Sequence, residues 1–218
     1  VIAPGRTVKR IRALVAISYF VTPSALGGYI ESEKNLDVTG DAWVSGDARV
    51  SGDAWVYGDA WVYGDAWVSG DARVSGDAWV YGDAWVYGNA QVYGDARVSG
   101  DAWVYGDAWV YGDARVSGNA WVYGDARVSG NAQVYGDARV SGDGLIFWAS
   151  KVGIENGTLT VYNTKDNELE VTRGCFKGSV DEFLSASEEK HDEQMHLEYR
   201  LLIEIAHSRI TRARKYAN

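Results

Sequence analysis

From Asp41 to Gly142 the chain repeats one six-residue phrase, Asp-Ala-Trp-Val-Tyr-Gly, 17 times without an insertion or deletion. A fixed short period constrains the fold more than any other feature of a sequence. The first position is Asp, or Asn at Asn89, Asn119 and Asn131. The second is always Ala, the fourth always Val and the sixth always Gly. Only the third (Trp, Arg or Gln) and the fifth (Tyr or Ser) vary. In an extended strand, Ala and Val two apart point to one side, and the variable positions point to the other. Gly followed by Asp or Asn accepts the backbone angles of a tight turn. Each hexad is therefore a short strand plus a corner. It cannot bury its Ala and Val alone, but stacking on the next coil covers them.

Three hexads close one triangular coil. The expected class is mainly β: a triangular parallel β-helix with a small C-terminal α+β cap. The pattern resembles the left-handed parallel β-helix of hexapeptide-repeat proteins. The left hand is what that resemblance implies, against the usual right-handed crossover. A flat two-sided solenoid, closing a coil with every second hexad, is the alternative. The frame extends imperfectly to Asn35–Gly40 before the array and to Asp143–Trp148 after it. About six coils at about 4.8 Å each make a column roughly 30 Å tall.

Three faces align the outward third positions of every third hexad. One column reads Arg49, Trp67, Trp85, Trp103, Trp121, Arg139, with Tyr87, Tyr105 and Tyr123 beside it. A second reads Trp43, Trp61, Trp79, Arg97, Arg115, Gln133. The third is mixed: Asp37, Trp55, Arg73, Gln91, Trp109, Arg127, Leu145. The first two columns are the candidate binding residues. Stacked aromatic neighbours are worth roughly 0.5–1.5 kcal/mol per pair beyond burial. A contiguous apolar face of this size also suits an interface. Stiffening and interface are compatible readings. The Asp columns read as turn residues bonding local backbone, or as a negative lattice that mimics nucleic acid.

The 14 Asp and 6 Arg of the array account for −8 of the net charge of −9. That balance disfavours direct binding of nucleic-acid phosphates. A single cysteine, Cys175, permits no internal disulfide and suits a reducing compartment. The expected location is the cytoplasm of a bacterial host, with secretion less favoured.

The chain divides into a cap segment (1–34), the repeat domain (35–148) and a C-terminal α+β domain (149–218). In the first, Ile11, Ala13, Val15 and Ile17 alternate as a strand would. The apolar run Ala13–Val21 is interrupted by Ser18, has no clean cleavage site and is too short to span a membrane. It is read as a cap, which the open edge of a solenoid needs. In the third domain, Phe147–Ile154, Thr158–Tyr162 and the return through Leu169 and Val171 are expected strands, turning at Lys165–Asn167. Ser179 with Glu182 forms a capping box that opens a helix with Val180, Phe183 and Leu184 on one face. A second helix, about Asp192–Arg214, buries Met195, Tyr199, Leu202, Ala206 and Ile210. Its basic end, Arg209, Arg212, Arg214 and Lys215, suits a helix C-terminus.

The Arg-Ile-Arg-Ala-Leu strand, the Leu-Gly-Gly-Tyr-Ile-Glu lead-in at Leu26–Glu31 and the Gly-Asp-Ala-Trp-Val hexads resemble a family of phage and prophage hexapeptide-repeat proteins. Asn163–Asp166 and Thr172–Phe176 are similar to that family's closing domain. The resemblance implies a β-helix in a phage setting and supplies no catalytic residue. Other hexapeptide β-helices are acyltransferases, which by resemblance use a His between subunits and loops that break the coil. This array has neither. His191, His196 and His207 all lie in the helical tail, and His191 and His196, five apart, fall off one helix face, so no metal pair is expected. Cys175 reads as a small core residue. No cofactor, metal or catalytic constellation is expected.

Three functions follow as expectations. The first is a non-enzymatic scaffold that self-associates through its aromatic faces, as a trimer or another small closed oligomer. The second is a phage counter-defence protein that sequesters a small nucleotide or occupies a host protein's nucleic-acid site. The third is a filament like the bactofilins, which are polymerising β-helices.

Overall fold

The computed structural model describes residues 7–142 and 144–215. Residues 1–6 of the expected cap segment, Asp143 of the extended frame and the last three residues of the expected terminal domain lie outside these. The array folds as a parallel β-solenoid of about six coils with three faces. Each hexad contributes one strand of two or three residues, and every third strand along the chain pairs in parallel. Trp85 lies between Trp67 and Trp103, and Val86 between Val68 and Val104, so the register is three hexads throughout the array. This selects the triangular coil over the two-sided one.

Within the array the interior is built from Ala and Val, closed at its ends by Ile30, Ile146 and Tyr162. From Ala48 and Val50 to Ala138 and Val140 every one of these side chains is essentially fully buried. Burying a Val contributes roughly 1.5–3 kcal/mol. Small uniform side chains let successive coils stack at ladder spacing, with amide-to-carbonyl distances of 2.8–3.0 Å such as Trp85 N to Ala102 O and Trp109 N to Ala126 O.

The corner glycines have positive φ, +72° at Gly106 for example. A Cβ on Gly106 would stand 3.1 Å from the backbone nitrogen of Gly124. The corners stack backbone on backbone, which is why the sixth position never varies.

The N-terminal end departs from the expected frame. Leu26–Ile30 is already a strand of the first face, pairing in parallel with Arg49–Val50. Leu36, not Val38, pairs with Val56. The cause is two extra residues at the corner Asp37–Thr39, where the Asp37 carboxylate accepts from the Thr39 amide (3.0 Å) and hydroxyl (2.8 Å). Val38 is consequently exposed, and Asp37 leaves the third-position column. The expected strand through Val15 also stops early: only Lys9–Arg12 is strand, pairing antiparallel with Leu26–Ile30. Ala13 turns inward while Val15 is exposed. Asn35, fully buried, donates through Nδ2 to Gly52 O (3.0 Å) and Ala54 O (2.8 Å). It thereby satisfies carbonyls at the solenoid's first open edge.

At the other end Ile146–Val152, Gly157–Asn163, Leu169–Arg173 and Phe176–Ser179 form an antiparallel meander. Leu145 is buried in the core of this terminal domain, so the third column ends at Arg127 and not at Leu145. Leu159 and Val161 face that core as expected. Thr160 and Tyr162 are equally buried because they lie over the last coil. There the Gln133 amide donates to the Thr160 hydroxyl (3.0 Å), the Tyr135 amide donates to Tyr162 Oη (3.3 Å), and the Thr172 hydroxyl donates to Gln133 O (2.8 Å). Side-chain hydroxyls thus replace the missing next coil.

Helix α1 (Val180–Lys190) opens on the Ser179–Glu182 capping box, and α2 (Glu193–Arg214) packs on the meander. Tyr199, Ile203, Ala206 and Ile210 are the buried stripe of α2, with Met195 and Leu202 packed at its margins. Cys175 is exposed in the turn after Gly174 and is not a core residue.

Candidate functional site

The first face gathers the first column of candidate residues into one strip. Trp67, Trp85, Trp103 and Trp121 stack in series, with centroids 5.0, 5.2 and 5.1 Å apart and planes within 9° of parallel. Beside them Tyr87, Tyr105 and Tyr123 stack at 4.9 and 5.1 Å. The two columns are knitted together by edge contacts, Tyr87 to Trp103 at 6.2 Å and Tyr105 to Trp121 at 6.3 Å. Burial within this grid raises the Tyr87 and Tyr105 hydroxyl pKa values above the ordinary phenol value.

Both ends of the Trp stack are closed by cations. The Arg49 guanidinium lies 5.1 Å from the Trp67 ring centroid, and that of Arg139 lies 4.2 Å from Trp121. Such contacts are worth roughly 0.5–1 kcal/mol at exposed sites. Because the rings stack along the column, each indole spends both faces on its neighbours. What the strip presents outward is ring edges.

The second column does not form a comparable ladder. Trp43 is buried with Ala13 and Val21 beneath the N-terminal segment. Its place in a free binding face is therefore corrected: it holds the cap. Phe20 meets Trp61 edge-on at 6.0 Å, and Tyr63 meets Trp79 edge-on at 6.0 Å. Arg97 covers Trp79 at 5.1 Å. Arg115 pairs in register with Arg97 and Gln133. Of this column only Trp79 (38% exposed) offers substantial aromatic surface.

Sequence reasoning missed the smaller tyrosine ladders, Tyr63–Tyr81 at 4.9 Å and Tyr93–Tyr111 at 5.0 Å. The three-hexad period contained them, because tyrosines at the fifth position of successive coils fall in register. The aspartates line the three corners one coil apart. Asn89 and Asn119 interrupt two of these columns and donate to Asp107 (3.0 Å) and Asp137 (3.2 Å). Lys165 hydrogen bonds Asp137 at 3.0 Å and, with Asn119, holds its carboxyl below the usual range.

Six stretches, 42–58, 66–82, 72–88, 90–106, 108–124 and 132–146, match a family model described as the YdcK beta solenoid repeat. They fall on the coils just described and together cover less than half of the chain. The chain is a β-solenoid repeat protein. No curated protein matches it. Among the described residues no helix of the solenoid protein is long and apolar enough to cross a membrane, and no group of three or more His, Cys, Asp or Glu is arranged to hold a metal ion.

His191 rests on Tyr199 (5.5 Å) and the His196 Nδ1 lies 3.3 Å from the Ser187 hydroxyl. His207 is exposed. These three are dispersed over the terminal domain.

Proposed function

We propose that the protein is a non-enzymatic scaffold whose copies associate through the first face into a small closed oligomer. The supporting observation is the strip of four stacked indoles and three stacked phenols between Arg49 and Arg139. Trp, Tyr and Arg are the residues that dominate binding energy at protein interfaces. Mutual stacking fixes each ring before association, so little side-chain entropy is lost on docking. Resemblance to phage and prophage hexapeptide proteins supports a phage setting and a host cytoplasm.

The test is molar mass by light scattering, on the wild type and on Trp85→Arg/Trp103→Arg. Arginine already occupies third positions at Arg97 and Arg115, where two arginines are register partners, so the variant keeps a sequence that the coil tolerates. It should be a folded monomer. A wild type that is monomeric at micromolar concentration overturns the proposal.

Sequestration of a nucleotide by base stacking on the indoles is disfavoured, because both faces of each are occupied. Occupation of a host protein's nucleic-acid site draws on the three corner columns of carboxylates. Co-purification of a host protein that added DNA displaces would favour it over self-assembly. Filament growth end to end is disfavoured, since both solenoid ends are covered by the chain's own segments.

A further inference from the structure

The terminal domain holds a second candidate site, independent of the assembly face. A cavity of about 480 Å³ opens where the meander meets the α1–α2 junction. Its apolar walls include Phe176, Phe183 and Tyr199. These rings are locked edge to face, Phe176 to Phe183 at 5.3 Å and Phe183 to Tyr199 at 5.2 Å. Its polar lining sets Arg173, Lys190 and His191 against one carboxylate, Glu155, and the Ser187 hydroxyl.

Arg173 is the decisive group. Its side chain is only 12% exposed, and its counter-charge is Glu155, itself 84% exposed, at 3.4 Å. Nη2 donates to Val152 O (3.2 Å), while Nε is buried with no acceptor. A guanidinium withdrawn from water and so weakly compensated is costly. Gly157 makes room for it, since a Cβ there would stand 2.5 Å from Nη1; at Gly153 a Cβ would meet the Tyr199 hydroxyl before Nη2. The cation is therefore only partly compensated, by one largely exposed carboxylate.

We propose that this cavity binds a small organic anion with a flat apolar body and a carboxylate or phosphate head. The head is held by Arg173 and Lys190, and the body lies against Phe176, Phe183 and Tyr199. Arginine's planar donor fork matches both head groups.

Calorimetry of the full chain with benzoate, phenyl phosphate and inorganic phosphate tests this. At least one aryl anion should bind saturably, and the tighter of the two identifies the head. Inorganic phosphate, lacking the apolar body, should bind at least about tenfold more weakly than phenyl phosphate. Lys190→Gln, at a helix end, leaves the fold intact and should weaken binding about tenfold. Arg173→Lys keeps the charge, loses the fork and should weaken it by at least as much. No heat from either aryl anion at millimolar concentration overturns the proposal. So does binding that Lys190→Gln and Arg173→Lys both leave unchanged.

Discussion

Gly106 and Gly124 occupy one corner column and test whether stacked corners, and not turn angles alone, dictate the sixth position. Both have positive φ, +72° and +60°. Placing an alanine in that region costs about 1–2 kcal/mol at either site. Their surroundings differ. A Cβ on Gly106 meets Gly124 N at 3.1 Å, whereas a Cβ on Gly124 finds its nearest neighbour, Gly142 N, at 3.7 Å. Ordinary carbon contacts lie at about 3.5–4.0 Å. The Gly106 site cannot relax cheaply, because its neighbours are tied into the ladder by bonds such as Tyr105 N to Val122 O at 3.0 Å. Overpacking of this kind costs about 1–3 kcal/mol. Gly106→Ala should therefore lose about 2–5 kcal/mol and Gly124→Ala about 1–2 kcal/mol. Asparagine separates the two terms, since it tolerates positive φ but carries the same Cβ. Gly124→Asn should be close to wild type, and Gly106→Asn should stay about 1–3 kcal/mol below it. Urea unfolding followed by Trp fluorescence reads the loss. Amide exchange along the ladder shows whether the array opens in parts, as repeat proteins do. Equal losses at the two positions would refute the argument from stacked corners.

Two further perturbations address the solenoid's ends. Tyr162 is buried and its hydroxyl donates to Glu170, and both effects raise its pKa above the ordinary phenol value. Above about pH 10 the unfolded chain's phenol loses its proton while the folded one keeps it, so stability present at neutral pH is lost as pH rises; Tyr162→Phe should flatten that alkaline fall in a urea–pH series. Asn35→Ala removes two hydrogen bonds to the first coil and leaves buried carbonyls without a donor, which should cost about 1–3 kcal/mol in the same assay, concentrated in faster amide exchange near Gly52–Val56.

The coils and their register were legible in the sequence because one period fixes every inward and outward position at once. Column membership followed from counting, as with Trp67, Trp85 and Trp103. Where the period stops, the reading weakened for physical reasons. Val38 looked inward by frame, but the two added residues at the Asp37 corner slip the register and put Leu36 there instead. Leu145 looked outward by frame, but the chain leaves the solenoid and the terminal domain covers it. Counting places Trp43 on a face without showing what lies across it; the segment from Ala13 to Ala25 covers it. The pocket around Arg173 had no signal in spacing. Its members come from a strand end, a helix end and the middle of another helix, and only tertiary packing joins them.

The outward positions follow a rule of their own. On the first face Arg49 and Arg139 lie over the two ends of the Trp stack, and Arg97 and Arg127 lie over Trp79 and Trp109 on the other faces. An indole at the end of a run has one free π face, and that face is attractive to any cation or ring. Placing an arginine in the next coil closes it from within the chain. On the first face the indole surface is thereby confined to ring edges, while the Ala–Val interior stays identical beneath it. Core and surface are decoupled. The interior sets how coils stack, and the third and fifth positions can change without disturbing it. Variation at those two positions, over an invariant frame, is what a scaffold needs if its contacts are to be specified by sequence while its shape is not.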